Sequence, residues 1–389
     1  MFYGFILLAI LITIAAHPLT KFLAFRLNIL DHPEARKIHV APIPRLGGLS
    51  IFLGFVISSA LYLSLSSEIP GMTKTQLIRI ILCSFAAFVI GFIDDVFTVG
   101  SKVKLVGQIL LSCIMISLGF KVNSLFFGPG VTLHTGFLSS AVTIFWIVGI
   151  MNAVNLIDGM DGLASGTSTI ALAAIAGFSK FYGNDSLMYL ALIGMGCCIG
   201  FLKYNFHPAK IFMGDGGSMF LGFLLAVFSL SIDSSQMGSV PVYIPILILA
   251  FPIVDTTVAI VRRMVRTILF EHHYSKMNVT IFLSALKRVL EADGDHIHHR
   301  LLKRNMGQRS VAFSLYFFSI TCATVSFIML HLPIGFSWLL GLTTMYGIYH
   351  WVISLDYDEF TTKQVREYKQ ALEEDKMINP SSKVLKKAS

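Results

Sequence analysis

Acidic motifs interrupt an otherwise apolar sequence, and their carboxylates are the groups best suited to chemistry. The segment NAVNLIDGMDGLASG at 152–166 places Asp158 and Asp161 three residues apart. On a helix both carboxylates would lie on one face and could point at one cation. A carboxylate at the end of a membrane helix is costly unless it meets a cation, a partner or water, so this segment is a candidate functional site.

Two further motifs add carboxylates to this set. Asp94 and Asp95 are adjacent in GFIDD, so on a helix their side chains diverge by about 100°, which suits a division between ligand binding and proton transfer. A solvated helix end facing Lys102 and Lys104 is the alternative. Asp215 lies among glycines in FMGDGGS, where backbone N–H groups at a helix N-terminus can approach phosphate or where the residue is a plain N-cap. Mg²⁺ usually takes one or two protein carboxylates and leaves places for substrate phosphates.

Basic and imidazole side chains complete the candidate site. Lys37 and Arg45 lie in a Pro- and Gly-rich loop, where they would bind a substrate phosphate or anionic lipid. The motif DHIHHRL is interpreted as a phosphate-binding or proton-handling cluster, with zinc binding and an inert loop as alternatives. Its candidate residues are three histidines and an arginine, His296, His298, His299 and Arg300.

The composition places these groups in a membrane protein. The chain has 389 residues, of which 55% are hydrophobic and 13% charged, and its mean hydropathy is +0.74. A soluble domain would carry about 25% charged residues. We therefore expect an all-α, polytopic membrane helix bundle. The net charge of +8 does not indicate a nucleic-acid partner, because the basic residues follow a membrane pattern.

Apolar segments of spanning length number about eleven. They lie at roughly 3–25, 47–66, 77–93, 103–121, 137–154, 163–179, 186–203, 216–233, 242–262, 311–330 and 335–353. An outside N-terminus and a cytoplasmic C-terminus put nearly all Lys and Arg on the cytoplasmic side, which is the bias of membrane proteins. Four would remain outside, namely Lys74, Arg79, Lys121 and Lys180. Every polar motif then lies on the cytoplasmic face.

We predict one integral membrane domain at 1–353 and a charged cytoplasmic tail at 354–389. The domain includes a long cytoplasmic loop at 263–310, in which the segment 278–290 has the pattern of an interfacial amphipathic helix. Carboxylates, cations and histidines on one membrane face favour phosphoryl transfer between a cytosolic nucleotide and a lipid phosphate. A transporter or flippase would need ionisable groups near mid-bilayer, and a lipid diphosphate phosphatase would use water as acceptor.

The motifs also carry a family resemblance. In order they are KxHxxPxPRxGG, GFIDD, NxxNxxDGxDGL, FMGDGGS and HIHHRL, between about 26 and 304. This series resembles the polyprenyl-phosphate N-acetylhexosamine-1-phosphate transferases. The eleven spans and the HIHH form are similar to the WecA/TagO branch rather than to the related MraY branch.

The resemblance implies a reaction and its cofactor. An N-acetylhexosamine 1-phosphate, first of all N-acetylglucosamine 1-phosphate, would pass from a UDP-sugar to undecaprenyl phosphate with release of UMP. The cofactor would be Mg²⁺, with Mn²⁺ as a substitute. The product would start a cell-envelope glycopolymer, such as teichoic acid or lipopolysaccharide, at the bacterial inner membrane. The segment between Arg263 and Asp295 is longer than usual in this branch, so the identity of the N-acetylhexosamine stays open. Whether the chain forms a homodimer and whether the reaction has one step or two also stay open.

The resemblance further implies roles for single residues. The metal ligands would be Asp215 and Asp158. The catalytic set would be Asp94, Asp95, Asp158, Asp161, His296, His298 and His299. The substrate-binding set would be Lys37, Arg45, Asn155, Asn205, Phe212 and Arg300.

Overall fold

A computed structural model of the protein describes residues 4–31, 42–66, 70–128, 131–233, 240–271 and 296–357. This part of the chain is mainly helical, as the composition predicts. Its α-helices, in chain order, are α1 Gly4–Arg26, α2 Gly48–Leu65, α3 Lys74–Phe97, α4 Ser101–Ser117, α5 Ser139–Ile157, α6 Leu163–Phe181, α7 Asp185–Asn205, α8 Gly214–Leu230, α9 Tyr243–Ile248, α10 Ala250–Glu271, α11 Ile297–Lys303, α12 Gln308–His331 and α13 Ile334–Val352. A 3₁₀ turn at Gly136–Leu138 precedes α5, and a π-helical turn at Ile353–Tyr357 follows α13.

Two small antiparallel hairpins were not expected from the sequence. Strands β1, Leu30–Asp31, and β2, Ile43–Pro44, pair in the register Leu30↔Pro44. Strands β3, Ser124–Gly128, and β4, Val131–His134, form the second hairpin. These strands have only two to five residues, too few for alternation to stand out beside apolar spans. The all-α expectation therefore holds for the bundle but not for its connections.

The described helices agree with the predicted spans in position more than in length. Each predicted segment contains a helix, but the ninth is divided at Leu249 into α9 and α10. Pro252 in the first turn of α10 favours a helix start there, because proline lacks the N–H that a preceding turn would use. Helix α10 also continues to Glu271, beyond the expected end at 262. Within the described residues, six helices are long and apolar enough to cross a membrane, so the count of eleven stays a prediction.

The chain divides into two compact units. The first consists of Met1–Thr256 and Arg304–Gly341, and the second of Thr257–Lys303 and Leu342–Ser389. The predicted domain boundary at residue 353 falls within the second unit and stays a prediction. Lys37, the amphipathic segment at 278–290 and most of the tail lie outside the described residues.

Close helix packing in the first unit sets the position of the FMGDGGS motif. A Cβ atom on Gly91 of α3 would lie 2.1 Å from the backbone oxygen of Asp215, so only glycine allows α3 to approach the start of α8 this closely. Gly48 at the start of α2 and Gly217 of α8 meet with comparable closeness. The amino end of α8 is therefore held directly against two neighbouring helices.

Candidate active site

A lysine joins two of the predicted carboxylates at the start of α8. The Lys104 ammonium nitrogen lies 2.9 Å from Asp94 Oδ2 and 2.5 Å from Asp215 Oδ2. All three side chains are about 15% exposed. Asp94 and Asp215, which are 121 positions apart in the sequence, therefore share one cation. The sequence indicates Lys104 only as one of two lysines that a solvated helix end at Asp94 and Asp95 would face. No local pattern indicates its contact with Asp215.

A tight turn between α3 and α4 brings Lys104 back over Asp94. Thr98 ends α3 in the left-handed conformation with φ 50°, and its N–H donates to the backbone oxygen of Asp94. Gly100 has φ 85°, a conformation that glycine adopts without the strain of a side chain. Its N–H donates to Asp94 Oδ1 at 3.2 Å. Helix α4 then starts at Ser101, which places Lys104 in its first turn.

Asp95 has a different environment from its neighbour Asp94. Its two carboxylate oxygens accept hydrogen bonds from the backbone N–H groups of Asp215, at 2.9 Å, and Gly216, at 2.8 Å. These donors belong to the first turn of α8, whose own N-cap residue, Met213, makes no side-chain cap. Asp95 therefore caps α8 from another helix and fixes the backbone that carries Asp215. The adjacent carboxylates do diverge, as the sequence predicts.

Polar side chains from two other elements surround Asp215. Asn155 of α5 donates to Asp215 Oδ1 at 3.2 Å and to Ser218 Oγ at 2.8 Å. Arg45 lies farther away, with its nearest guanidinium nitrogen 4.0 Å from Asp215 Oδ1. Another of its nitrogens is 3.9 Å from Asp31. Asp215 is thus oriented by an amide and approached by two cations.

Asp158 is the residue directly after α5 and adds negative charge to the same region. Its removal from water raises the pKa of Asp158 well above the usual value, and the negative charge of Asp215 raises it further. Arg45 acts in the opposite direction, while Asp95 and Asp161 add to the rise. Burial and the neighbouring carboxylates therefore disfavour the ionised form of Asp158, and a bound cation would favour it.

Asp161 contacts the segment that leads into the FMGDGGS motif. Its Oδ2 atom lies 2.7 Å from His207 Nδ1 and accepts from the N–H of Ala209 at 3.0 Å. Asn205 makes a parallel connection, because its Oδ1 accepts from the N–H of Gly162 and its Nδ2 donates to the backbone oxygen of Ile211. No sequence pattern singles out His207, which lies five residues before the FMGDGGS motif.

The predicted basic loop also meets the FMGDGGS motif. The N–H of Phe212 donates to the oxygen of Pro44 at 2.8 Å, and the N–H of Gly47 donates to the oxygen of Phe212 at 2.9 Å. Gly48 donates in the same way to Met213 at 2.7 Å. Three backbone hydrogen bonds therefore join two motifs that are far apart in the sequence.

The histidine motif lies in the second unit. The rings of His298 and His299 are 4.2 Å apart, and those of His296 and His298 are 5.8 Å apart and nearly parallel. His296 and His298 are buried, at 5% and 1% exposure. Arg300 donates from Nη1 to the backbone oxygen of Leu355 at 2.9 Å. The structure therefore brings the three predicted histidines together.

The oxygen donors near Asp215 fit a hard divalent cation better than zinc. In the described part of the chain, no group of three or more His, Cys, Asp or Glu side chains has the arrangement of a metal site. Mg²⁺ does not require one, since it commonly binds one or two carboxylates together with substrate phosphates and water. Asp215 and Asp158 would hold it through their carboxylate oxygens.

Comparison with known proteins gives the family. Residues 77–233 match the model for glycosyl transferase family 4. This range carries the five candidate aspartates, Asp94, Asp95, Asp158, Asp161 and Asp215. A probable undecaprenyl-phosphate N-acetylglucosaminyl 1-phosphate transferase of Bacillus subtilis is 35% identical over 316 residues, covering 80% of each chain. The chain belongs to this transferase family. The resemblance found in the motifs is thereby confirmed.

Two further relatives are similar over much of the chain. A decaprenyl-phosphate N-acetylglucosaminephosphotransferase of Mycobacterium tuberculosis is 32% identical over 337 residues, covering 80% of this chain and 78% of its own. A phospho-N-acetylmuramoyl-pentapeptide-transferase of Staphylococcus carnosus is 31% identical over 255 residues, covering 60% and 77%. The two relatives named for N-acetylglucosamine are thus 32–35% identical to this chain over 80% of its length.

Proposed function

We propose that the chain transfers N-acetylglucosamine 1-phosphate from UDP-N-acetylglucosamine to undecaprenyl phosphate and releases UMP. The observation that carries this proposal is the cluster around Asp215, where Asp94, Lys104 and Asn155 converge from three helices. A polyprenyl phosphate acceptor and an N-acetylglucosamine donor also appear in the names of the relatives that align over 80% of the chain.

Different residues of the site are proposed to bind the two phosphate-containing substrates and to orient Asp215. Lys104 and Arg45 supply positive charge on either side of Asp215, and such charges stabilise a phosphoryl group during transfer. Asn155 keeps Asp215 in one orientation. Mg²⁺, held by Asp215 and Asp158, would neutralise the donor diphosphate when bound. Mn²⁺ would replace it as another oxygen-binding divalent ion.

Asp94 is proposed to position the acceptor phosphate in a single displacement. An oxygen of the lipid phosphate would attack the sugar-bearing phosphorus, the bond to the UMP oxygen would break, and UMP would leave. Asp94 would accept a proton from the acceptor phosphate if that phosphate arrived protonated. A two-step route through an aspartyl phosphate predicts a trapped sugar-phosphate adduct on Asp94 without lipid. The histidine motif and Arg300 keep their proposed phosphate-handling role, and Lys37, Asn205 and Phe212 their proposed substrate contacts.

The membrane placement is part of the same proposal. The site lies where α3, α5 and α7 end and where α4, α6 and α8 begin, so one end of the helices carries all five aspartates. The distribution of Lys and Arg supports a cytoplasmic position for this end and an outside N-terminus, with eleven spans in the bacterial inner membrane. The lipid-linked product would start a cell-envelope glycopolymer, such as teichoic acid or lipopolysaccharide. A homodimer is a further proposal.

The test is a transfer assay on the purified chain with radiolabelled UDP-N-acetylglucosamine and undecaprenyl phosphate. Label should enter the lipid fraction, UMP should appear, and chelation of divalent cations should stop both. Asp215→Asn should reduce turnover at least about tenfold, which corresponds to about 1.4 kcal/mol in the barrier.

The matched control is Asp185→Asn, which removes a carboxylate that pairs with Lys180 at the start of α7, the opposite end of that helix from the site. Its turnover should equal that of the parent. Parent-like turnover of Asp215→Asn would remove the metal assignment. Release of free phosphate in place of UMP would instead identify a phosphatase.

A further inference from the structure

A second group of cations lies between α1 and α7, outside the candidate active site. The rings of His17 in α1 and Tyr204 in α7 are stacked, with centroids 3.6 Å apart and planes 4° apart. The Lys203 ammonium lies 5.5 Å from the centre of the Tyr204 ring. Lys21 follows His17 by one helical turn and shares its face. The N–H of Lys210 donates to the backbone oxygen of Tyr204 at 2.8 Å, which fixes Lys210 beside the stacked pair.

The three lysines of this cluster have no carboxylate partner among the described residues. The charges of Lys21 and Lys210 both act on the His17 ring. The side chains of Lys21, Lys203 and Lys210 are exposed. The cluster therefore has the electrostatic character of an anion site.

His17 provides the observation that points to a ligand. Its side chain is only 7% exposed. Its Nδ1 atom is buried and makes no hydrogen bond with any described residue. Buried polar groups without a partner are costly and uncommon in folded proteins. The ring is therefore suited to a hydrogen bond supplied from outside the chain, beside the charges of Lys21 and Lys210.

The walls of the cluster show which anion fits. Gly196 and Gly200 of α7 approach the backbone oxygens of Ile6 and Ile10 so closely that a Cβ would lie within 2.8 Å of them, which fixes α1 against α7. Near Lys21, α1 carries three large apolar side chains that are 50–58% exposed, Leu19, Phe22 and Phe25. A charged cluster bordered by such a surface matches a molecule with an anionic head and apolar chains.

We propose that the His17 and Tyr204 cluster binds the phosphate headgroup of an anionic phospholipid, whose acyl chains lie along the exposed face of α1. Tyr204 is adjacent to Asn205, so the cluster is at the end of α7 where the candidate active site also lies. Basic pockets between membrane helices bind such headgroups, and each lysine near an anionic surface contributes about a fivefold gain in affinity. Inorganic phosphate shares the headgroup chemistry but lacks the apolar chains.

The experiment measures lipid-dependent thermal stabilisation of the purified, full-length protein in a neutral detergent. Phosphatidylglycerol, phosphatidylcholine and inorganic phosphate are titrated separately at constant ionic strength. For the parent, only phosphatidylglycerol should raise the unfolding temperature. The combined variant Lys21→Gln, Lys203→Gln, Lys210→Gln should bind phosphatidylglycerol at least about tenfold more weakly, because three contributions of about fivefold are removed.

The matched control removes three lysines elsewhere, Lys74, Lys121 and Lys180, by the same change to Gln. It should keep parent-like affinity for phosphatidylglycerol. His17→Phe preserves a stacked ring without the ring nitrogens, and should also weaken binding, which provides a test if the triple variant does not fold. Equal affinity in both triple variants would overturn the proposal. Stabilisation of the parent by inorganic phosphate to the same extent as by phosphatidylglycerol would overturn the assignment to a lipid.

Discussion

Replacing Asp95 with Asn tests whether this carboxylate stabilises the start of α8 or takes part in the reaction. Both Asp95 oxygens accept backbone N–H groups at the start of α8, at 2.9 Å and 2.8 Å. Asn keeps one acceptor oxygen and places an NH₂ group against the second N–H. Hydrogen bonds to charged groups contribute about 1.5–3 kcal/mol each, so Asp95→Asn should lower the free energy of unfolding by about 2–3 kcal/mol. It should also displace the backbone of Asp215 and reduce turnover.

The same substitution at Asp94 is the matched comparison. Asp94 bonds to Lys104, which keeps its contact with Asp215 when Asp94 loses its charge. We expect Asp94→Asn to lower the free energy of unfolding less than Asp95→Asn does, because Lys104 keeps its contact with Asp215, and to reduce turnover.

The assay combines thermal unfolding in detergent with turnover per folded molecule. Asp95→Asn should lower the unfolding temperature by about 2–4 °C, because a change of 1 kcal/mol shifts it by about 1 °C in a chain of this length. Parent-like stability of Asp95→Asn together with lost turnover would refute the capping argument and place Asp95 in the chemistry.

Three further predictions concern the same region. Lys104→Met should reduce turnover by at least about tenfold, because it removes the cation shared by two carboxylates. Lys104→Arg should retain more turnover than Lys104→Met. Equal turnover in the parent and the Met variant would exclude a role for the ammonium group. Gly91→Ala should destabilise the protein by more than about 2 kcal/mol, since the new methyl would overlap the backbone of α8, whereas Gly177→Ala, with open space around it, should be tolerated in the same unfolding assay. His207→Ala should raise the KM for the UDP-sugar more than His207→Gln does, because alanine leaves Asp161 without a side-chain hydrogen-bond partner whereas glutamine can replace it. Identical KM values for the two variants in steady-state assays would contradict this prediction.

The sequence predicted the helices well because their signal is local. Long apolar segments and their polar ends placed every motif at a helix terminus, and the structure has helices at those positions. The division at Leu249 was missed because the apolar run continues through it. The β3–β4 hairpin was missed because its strands are short and lie between two apolar segments.

The site was predictable in its residue types but not in its pairings. Asp94 and Asp215 were both expected at one site, yet Lys104 was not, because no local pattern encodes a contact across 111 positions. For Asn205 the family resemblance implies substrate binding, and that role stays a prediction. In the structure its amide bonds to Gly162 and Ile211, contacts that no local pattern indicates.

The hydrogen bonds that connect the DGMDG turn to the segment before α8 have a mechanical consequence. Asp161 bonds to His207 and Ala209, while Asn205 bonds to Gly162 and Ile211. These hydrogen bonds connect the two loops. We therefore expect a ligand that moves the first loop to move the second as well, so that binding at the DGMDG turn affects the position of Asp215.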